Sequence, residues 1–234
     1  MGIKLEEKLI IEHKLKLAED FEAQGKQLHA IQIYLSLLEE YPLLTEACFN
    51  LAEIYQRSDN NKAAYEIISE MIKQDNENVE KRMYAGQFYL KYAMWDEAID
   101  VLEYVMVEEE SYVSYLRGFA YYQLKDYELS KLNFLNYVVR ESDNLLKHEG
   151  YLFLAKNCIE LKDFQAAENF LKKIEQTYSS HWEFQYLSAV VYLNNGMLEH
   201  AITNIEKAVK LNSKNSEVFA LAGQLQLKHG NYKN

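Results

Sequence analysis

The sequence predicts an all-α protein, a stack of antiparallel helix pairs, and three observations carry that prediction. Six segments align on a small residue followed four positions later by a bulky one: Ala30 with Tyr34, Ala64 with Ile68, Ala98 with Leu102, Ser130 with Phe134, Ala167 with Leu171 and Ala201 with Ile205. Most are spaced by about 34 residues, a repeat period rather than a chance echo. Twelve residues before each stands a second small residue (Ala18, Ala52, Gly86, Gly118, Ala155, Ala189). Three residues beyond that comes Phe21, Tyr55, Tyr89, Tyr121, Cys158 or Tyr192. The punctuation agrees: Gly25, Gly196 and Gly230 mark expected helix ends, and the only proline, Pro42, falls where a second helix should stop.

Each element follows from the same logic. Small residues let two helix backbones approach, and the bulky residue one turn along the same face fills the space beside the crossing. The repeats fall at 11–44, 45–78, 79–110, 111–147, 148–181, 182–215 and an incomplete 216–234. The third runs short. The fourth runs long, with Leu145, Leu146 and Lys147 as the apparent insertion. Glu12, Glu46, Glu80, Glu149, Glu183 and Glu217 occupy the second position of their repeats, in the expected first turn of a helix, where the dipole favours a carboxylate. The last segment offers Phe219, Ala222, Gly223, Gly230 and Tyr232 with no second helix. Val218, Leu221, Leu225 and Leu227 give it an apolar outer face where a terminal cap is polar, which reads as a fragment of a longer protein. No Gly/Ser-rich or Pro-rich stretch interrupts the series, so residues 1–234 read as one continuous solenoid.

These residues resemble the tetratricopeptide repeat. In the first repeat the pattern stands as Leu17, Ala18, Phe21, Gly25, Ala30, Tyr34 and Pro42; in the sixth as Ala189, Tyr192, Gly196, Leu198, Ala201, Ile205 and Ala208. Arg117 departs from it, where the family has Leu. The resemblance implies a right-handed superhelical solenoid whose concave wall is formed by the first helix of each pair, with positions 2, 5, 9 and 12 pointing inward. One subtype is excluded. The clamp that holds a chaperone's C-terminal carboxylate needs Lys, Asn and Arg at set places; only Asn50 matches, while Leu15, Glu19, Glu80 and Tyr84 occupy the others.

Composition narrows the function. A formal net charge of -11 opposes a phosphate backbone, which is bound by neutralising it with Lys and Arg, and it disfavours an anionic membrane surface. No apolar run approaches the roughly 18 residues of a membrane span, and the start, Met1-Gly2-Ile3-Lys4, lacks a secretory pattern, so a cytoplasmic setting is expected. Cys48 and Cys158 read as small buried hydrophobes. The six histidines show no pair at metal-ligand spacing, and no glycine-rich loop opens a helix after a strand. No cofactor, metal or catalytic residue is expected, and the chain is not read as an enzyme.

What remains is a surface. In the fourth repeat the inward positions are Tyr112, Tyr115, Phe119 and Tyr122, and Phe49, Met83, Tyr84, Leu152, Phe153, Tyr186 and Val190 extend the same wall. Tyrosine contributes area and a polar tip together, which suits a binding hot spot. The expected function is therefore a non-catalytic scaffold or adaptor. It holds a partner peptide or helix in an aromatic-lined concave groove. The alternative for the rings is a purely structural stripe, since positions 5 and 12 (Phe49, Tyr115, Tyr122, Tyr186) are commonly aromatic in this family for packing. An acidic rim that favours a basic ligand is the lesser reading of the Glu residues, beside their use at helix starts. Such inward residues face only water when the groove is empty, so their truncation should spare the fold. Two alternatives stand beside this: a scaffold that self-assembles through exposed repeat ends, including the C-terminal one, or the regulatory arm of a larger multidomain protein.

Overall fold

Every turn inside a helix pair closes in the same way. In each, one residue takes a positive φ: Gly25 and Gly196, but also Asp59, Ala93, Lys125 and Lys162. One residue further on, the backbone N–H reaches back to a carbonyl five residues earlier, giving Lys26 to Phe21 at 2.8 Å, Asn60 to Tyr55 at 2.8 Å, Met94 to Tyr89 at 2.9 Å, Asp126 to Tyr121 at 2.9 Å, Asp163 to Cys158 at 2.7 Å and Met197 to Tyr192 at 2.8 Å. This is the Schellman closure of a helix C-terminus. The acceptors are the six residues that recur three places after the small one. Four of the six turns hold a non-glycine residue in the left-handed region, against its cost of about 1–2 kcal/mol, and packing of the two flanking helices holds it there.

The computed structural model describes residues 5–42, 44–74, 77–106 and 111–232. Thirteen α-helices make up its regular structure: α1 (Leu5–Ala23), α2 (Gln27–Glu40), α3 (Thr45–Arg57), α4 (Asn61–Gln74), α5 (Val79–Lys91), α6 (Trp95–Leu102), α7 (Tyr112–Gln123), α8 (Tyr127–Arg140), α9 (Asn144–Glu160), α10 (Phe164–Tyr178), α11 (Trp182–Asn194), α12 (Leu198–Leu211) and α13 (Ser216–Tyr232). They sort into two compact units, one ending at Val105 and holding α1–α6, the other beginning at Met106 and holding α7–α13. Within each unit successive helices pack as antiparallel pairs, a helical-hairpin solenoid. Met1–Lys4 and the side chain of Tyr232, used in the sequence reading, lie outside the described residues.

The small residues sit at the crossings. Ala18, Ala30, Ala52, Ala64, Ala98, Ala155, Ala167, Ala189 and Ala201 are wholly buried, and Tyr34, Ile68, Leu102, Phe134 and Ile205 fill the gaps beside them. Ser130 replaces alanine without harm because its hydroxyl is satisfied: it donates to the Gly118 carbonyl at 2.8 Å and accepts from Asn157 Nδ2 at 2.9 Å, joining α7, α8 and α9. Pro42 follows the end of α2, and Arg117 is half-buried on α7.

Several expectations need correction. Leu145–Lys147 form the first turn of α9, ahead of the repeat limit at 148; its start is set by Asp143, whose carboxylate accepts the N–H groups of Leu145 and Leu146. That early start places Glu149 beyond the first turn of α9. Likewise α1 begins at Leu5, which leaves Glu12 in mid-helix. Gly230 lies inside α13 rather than at a turn. Val218, Leu221 and Leu225 point into the core against α12, leaving Phe219 and Leu227 as the large exposed hydrophobics of that helix. Of the four residues expected to form an apolar outer face, three pack inward and only Leu227 is exposed.

Two glycines give opposite expected results for one substitution. A Cβ on Gly86 would stand 2.5 Å from Leu102 Cδ2 and 2.6 Å from Cγ, and Leu102 is wholly buried. Gly86→Ala should cost about 1–3 kcal/mol by overpacking, enough to outweigh the helix-propensity gain of about 1 kcal/mol. A Cβ on Gly223 meets nothing within 4 Å, so Gly223→Ala should stabilise by about 0.5–1 kcal/mol. Urea midpoints check both, and a stabilised Gly86→Ala would show that α5 and α6 do not cross there.

Candidate functional site

The aromatic residues of the inward positions form one cluster in each unit. In the first, the rings of Phe49 on α3 and Tyr84 on α5 lie 5.1 Å apart, and Phe49 also neighbours Phe88 at 6.3 Å. Tyr84 is 45% exposed; Phe49 and Met83 are half-buried.

In the second unit α7 presents Tyr112, Tyr115, Phe119 and Tyr122, with Tyr112 stacked on Tyr115 at 5.2 Å and 11°. Phe153, entering from α9, ties this row together. It meets Tyr115, Phe119 and Tyr122 edge-on at 6.1, 5.8 and 5.5 Å, and stacks at 4.7 Å on the buried Phe134 of α8. The expectation that these side chains face only water is therefore wrong. Tyr115, Phe119, Tyr122 and Phe153 are half-buried against one another, because a ring from the next pair wedges between them. Tyr112 keeps 38% of its surface exposed. Leu152, assigned to the same wall, belongs to the core of α9–α11.

Tyr186 and Tyr122 share a cavity of about 260 Å³ lined by the first helices of three successive pairs and by α13: Tyr122 from α7, Lys156, Ile159 and Glu160 from α9, Trp182, Glu183, Tyr186 and Val190 from α11, and Glu217 from α13. Lys156 Nζ stands 2.8 Å from Glu183 Oε1 and 4.4 Å from the centre of the Phe153 ring. Burial first, and then the negative charge of Glu160, pushes the Tyr122 phenol up to about 12. Tyr186 is raised too, by burial and then by Glu217 and Glu160. Burial and Glu149 likewise raise Tyr112 and Tyr115. The cavity is thus aromatic in its walls and negative in its field.

Sequence reasoning reached Tyr122, Tyr186, Val190, Glu183 and Glu217 but missed Lys156, Ile159, Glu160 and Trp182. Lys156 and Ile159 occupy the ninth and twelfth positions of the fifth repeat, so the inward-position rule reaches them once it is applied to every residue type rather than to aromatics. Nothing in that rule reaches Glu160 or Trp182.

Asn50, which alone matches the carboxylate-clamp pattern, and Leu15, which departs from it, both serve the core. Asn50 Nδ2 donates to the Tyr34 hydroxyl at 3.1 Å, and Leu15 is buried. Cys48 and Cys158 are buried and unpaired, and burial pushes the Cys48 thiol up to about 11. Among the described residues no three His, Cys, Asp or Glu side chains are gathered to hold a metal ion, and no helix is long and apolar enough to cross a membrane.

A family model described as tetratricopeptide repeat matches residues 183–215, the α11–α12 pair. No curated protein matches the chain significantly. Among solved structures, a tetratricopeptide repeat protein from Parabacteroides merdae is similar at a TM-score of 0.68 and 19% identity, over 93% of this chain and 86% of that one. YrrB, described as a tetratricopeptide protein with an unusual peptide-binding site, is similar at 0.62 and 16%, over 80% and 96%. The structure of the APC/C hetero-tetramer Cut9-Hcn1 matches at 0.61 and 14%; this chain aligns over 91% of its length and spans 42% of that one. At these identities the likeness is one of fold.

Proposed function

We propose that this chain, a member of the tetratricopeptide-repeat family, is a non-catalytic adaptor that holds a segment of another protein against the first helices of its pairs. The observation that carries this is the cavity walled by α7, α9, α11 and α13, continuous through Tyr122 with the aromatic row of α7 and α9. Rings already packed on one another lose little freedom on binding, so their exposed edges can contribute contact area at low entropic cost. Tyr112, Tyr115, Phe119, Tyr122, Phe153 and Tyr186 form the contact surface of the second unit, and Phe49 with Tyr84 that of the first. The likeness to YrrB supports a peptide as ligand, and the chain's charge of -11 favours a basic one. Two unpaired buried cysteines fit the cytoplasmic setting expected from the sequence.

A photoreactive phenylalanine placed at Tyr112 or Tyr84 tests this directly. Both should cross-link the partner in a native lysate, whereas the same residue at Leu132, exposed on the second helix α8, should not. Cross-linking confined to Leu132 would move the site to the opposite side of the pairs.

Self-assembly is the second reading, favoured by apolar surface at both ends. Leu5, Leu9 and Ile10 are exposed on α1, and a groove of about 460 Å³ between α12 and α13 is lined by Ile202, Val209, Phe219 and Ala222. Concentration-dependent sedimentation that Phe219→Glu abolishes would favour it.

A further inference from the structure

We propose that the cavity of α7, α9, α11 and α13 receives a lysine or arginine side chain of the bound segment, with Glu160 and Glu217 as its counter-ions and the rings of Tyr122 and Tyr186 as its walls. This rests on the reading that the segment lies along the first helices. The size of the cavity, about 260 Å³, falls below the roughly 300–1,000 Å³ of pockets that enclose whole small molecules; it suits one long side chain entering from a chain that lies outside. Its charge is unbalanced. Of the three carboxylates lining it, Glu183 is neutralised by Lys156 at 2.8 Å. Among the described residues no lysine or arginine forms an ion pair with Glu160 or Glu217; Glu160 is approached instead by the Tyr127 hydroxyl.

Lys156 shows how this wall treats a cation. Its ammonium is held between a carboxylate and an aromatic face, Glu183 at 2.8 Å and Phe153 at 4.4 Å. Glu160 and Glu217, beside Tyr122 and Tyr186, offer the same pairing of charge and ring to a cation supplied from outside. An apolar side chain would strip water from two carboxylates with nothing to replace it, and an acidic one would be repelled. A metal ion is the poorer occupant, since Glu183 is already held by Lys156 and, among the described residues, no three carboxylate, imidazole or thiol groups are placed to hold one ion together.

Peptides selected from a random-sequence library on the immobilised full chain provide the test. The selected peptides should share one basic position. Changing that residue from arginine to citrulline, or from lysine to norleucine, should weaken binding about tenfold or more on the unmodified protein. On the Glu160→Gln/Glu217→Gln variant the same change should have little effect, and that variant should melt like the parent because both carboxylates are exposed. Selection without a basic position, or equal sensitivity of both proteins to the uncharged analogue, overturns the cation pocket. If those peptides still cross-link to a photoreactive residue at Tyr112, the groove reading survives that loss; cross-linking only at Leu132 removes both.

Discussion

Tyr34→Ala should lower the unfolding free energy by about 3–5 kcal/mol, the range for truncating a fully buried aromatic residue. Tyr34 has no exposed surface and packs in a core of Ile11, Leu15, Ala18, Leu37 and Leu51, so α1, α2 and α3 all lose contacts at once. Its hydroxyl adds a polar share. It donates to Glu22 Oε1 at 3.0 Å and accepts from Asn50 Nδ2 at 3.1 Å, and Glu22 in turn pairs with Arg57. Tyr34→Phe removes only that share and should cost about 0.5–1.5 kcal/mol. Burial and the neighbouring Glu22 carboxylate push the Tyr34 phenol well above its usual range, so the neutral form belongs to the fold. Urea unfolding followed by circular dichroism reads the loss, and amide exchange should place it in α1–α3. A loss below about 1 kcal/mol for Tyr34→Ala would mean that the cavity collapses, contrary to the close packing of the crossing alanines.

The helix pairs were legible because their cause is local and repeated. A small residue at a crossing is required wherever two backbones meet, and so Ala18, Ala52, Ala64 and their equivalents announce themselves at a fixed period. Helix limits were less legible where the sequence offers two competing signals. At α9 the spacing argued for a start near 148, whereas Asp143 caps a helix from Asn144; a cap satisfies exposed backbone N–H groups and outweighs regularity of the period. Turn residues were half legible. Gly25 and Gly196 follow the rule, but Ala93 and Lys125 adopt the same conformation for reasons that lie in tertiary packing and leave no mark in the residue type. The candidate site was legible as a set of rings and not as an arrangement, because what decides between water and contact for Phe119 is Phe153, thirty-four places further on. The cation-binding character was hidden differently: charge on Glu160 matters only beside Tyr122 and Tyr186, three helices that the chain visits at separate times.

Phe134→Ala should be the matching loss in the second unit, about 3–5 kcal/mol, and it should reach the groove as well. Phe134 is wholly buried on α8, yet it is the ring on which Phe153 stacks, and Tyr115 meets it edge-on at 5.6 Å. Gly118 supports it from α7: a Cβ there would lie 3.0 Å from the Phe134 ring, so the helix backbone itself forms one wall of its site. Without Phe134 the support beneath Phe153 is gone, and the rings of Phe119 and Tyr122 that meet Phe153 lose their fixed edges. Partner binding should therefore fall even under conditions in which the variant remains folded, although Phe134 itself touches no solvent. Phe134→Leu keeps most of the volume and should lose about half as much stability while still loosening the stack, because a branched aliphatic side chain cannot replace a parallel ring. Calorimetry gives the stability change, and binding measured well below each variant's melting temperature separates the two effects. Wild-type affinity in a folded Phe134→Leu protein would show that the groove depends on area alone and not on the ordered ring lattice.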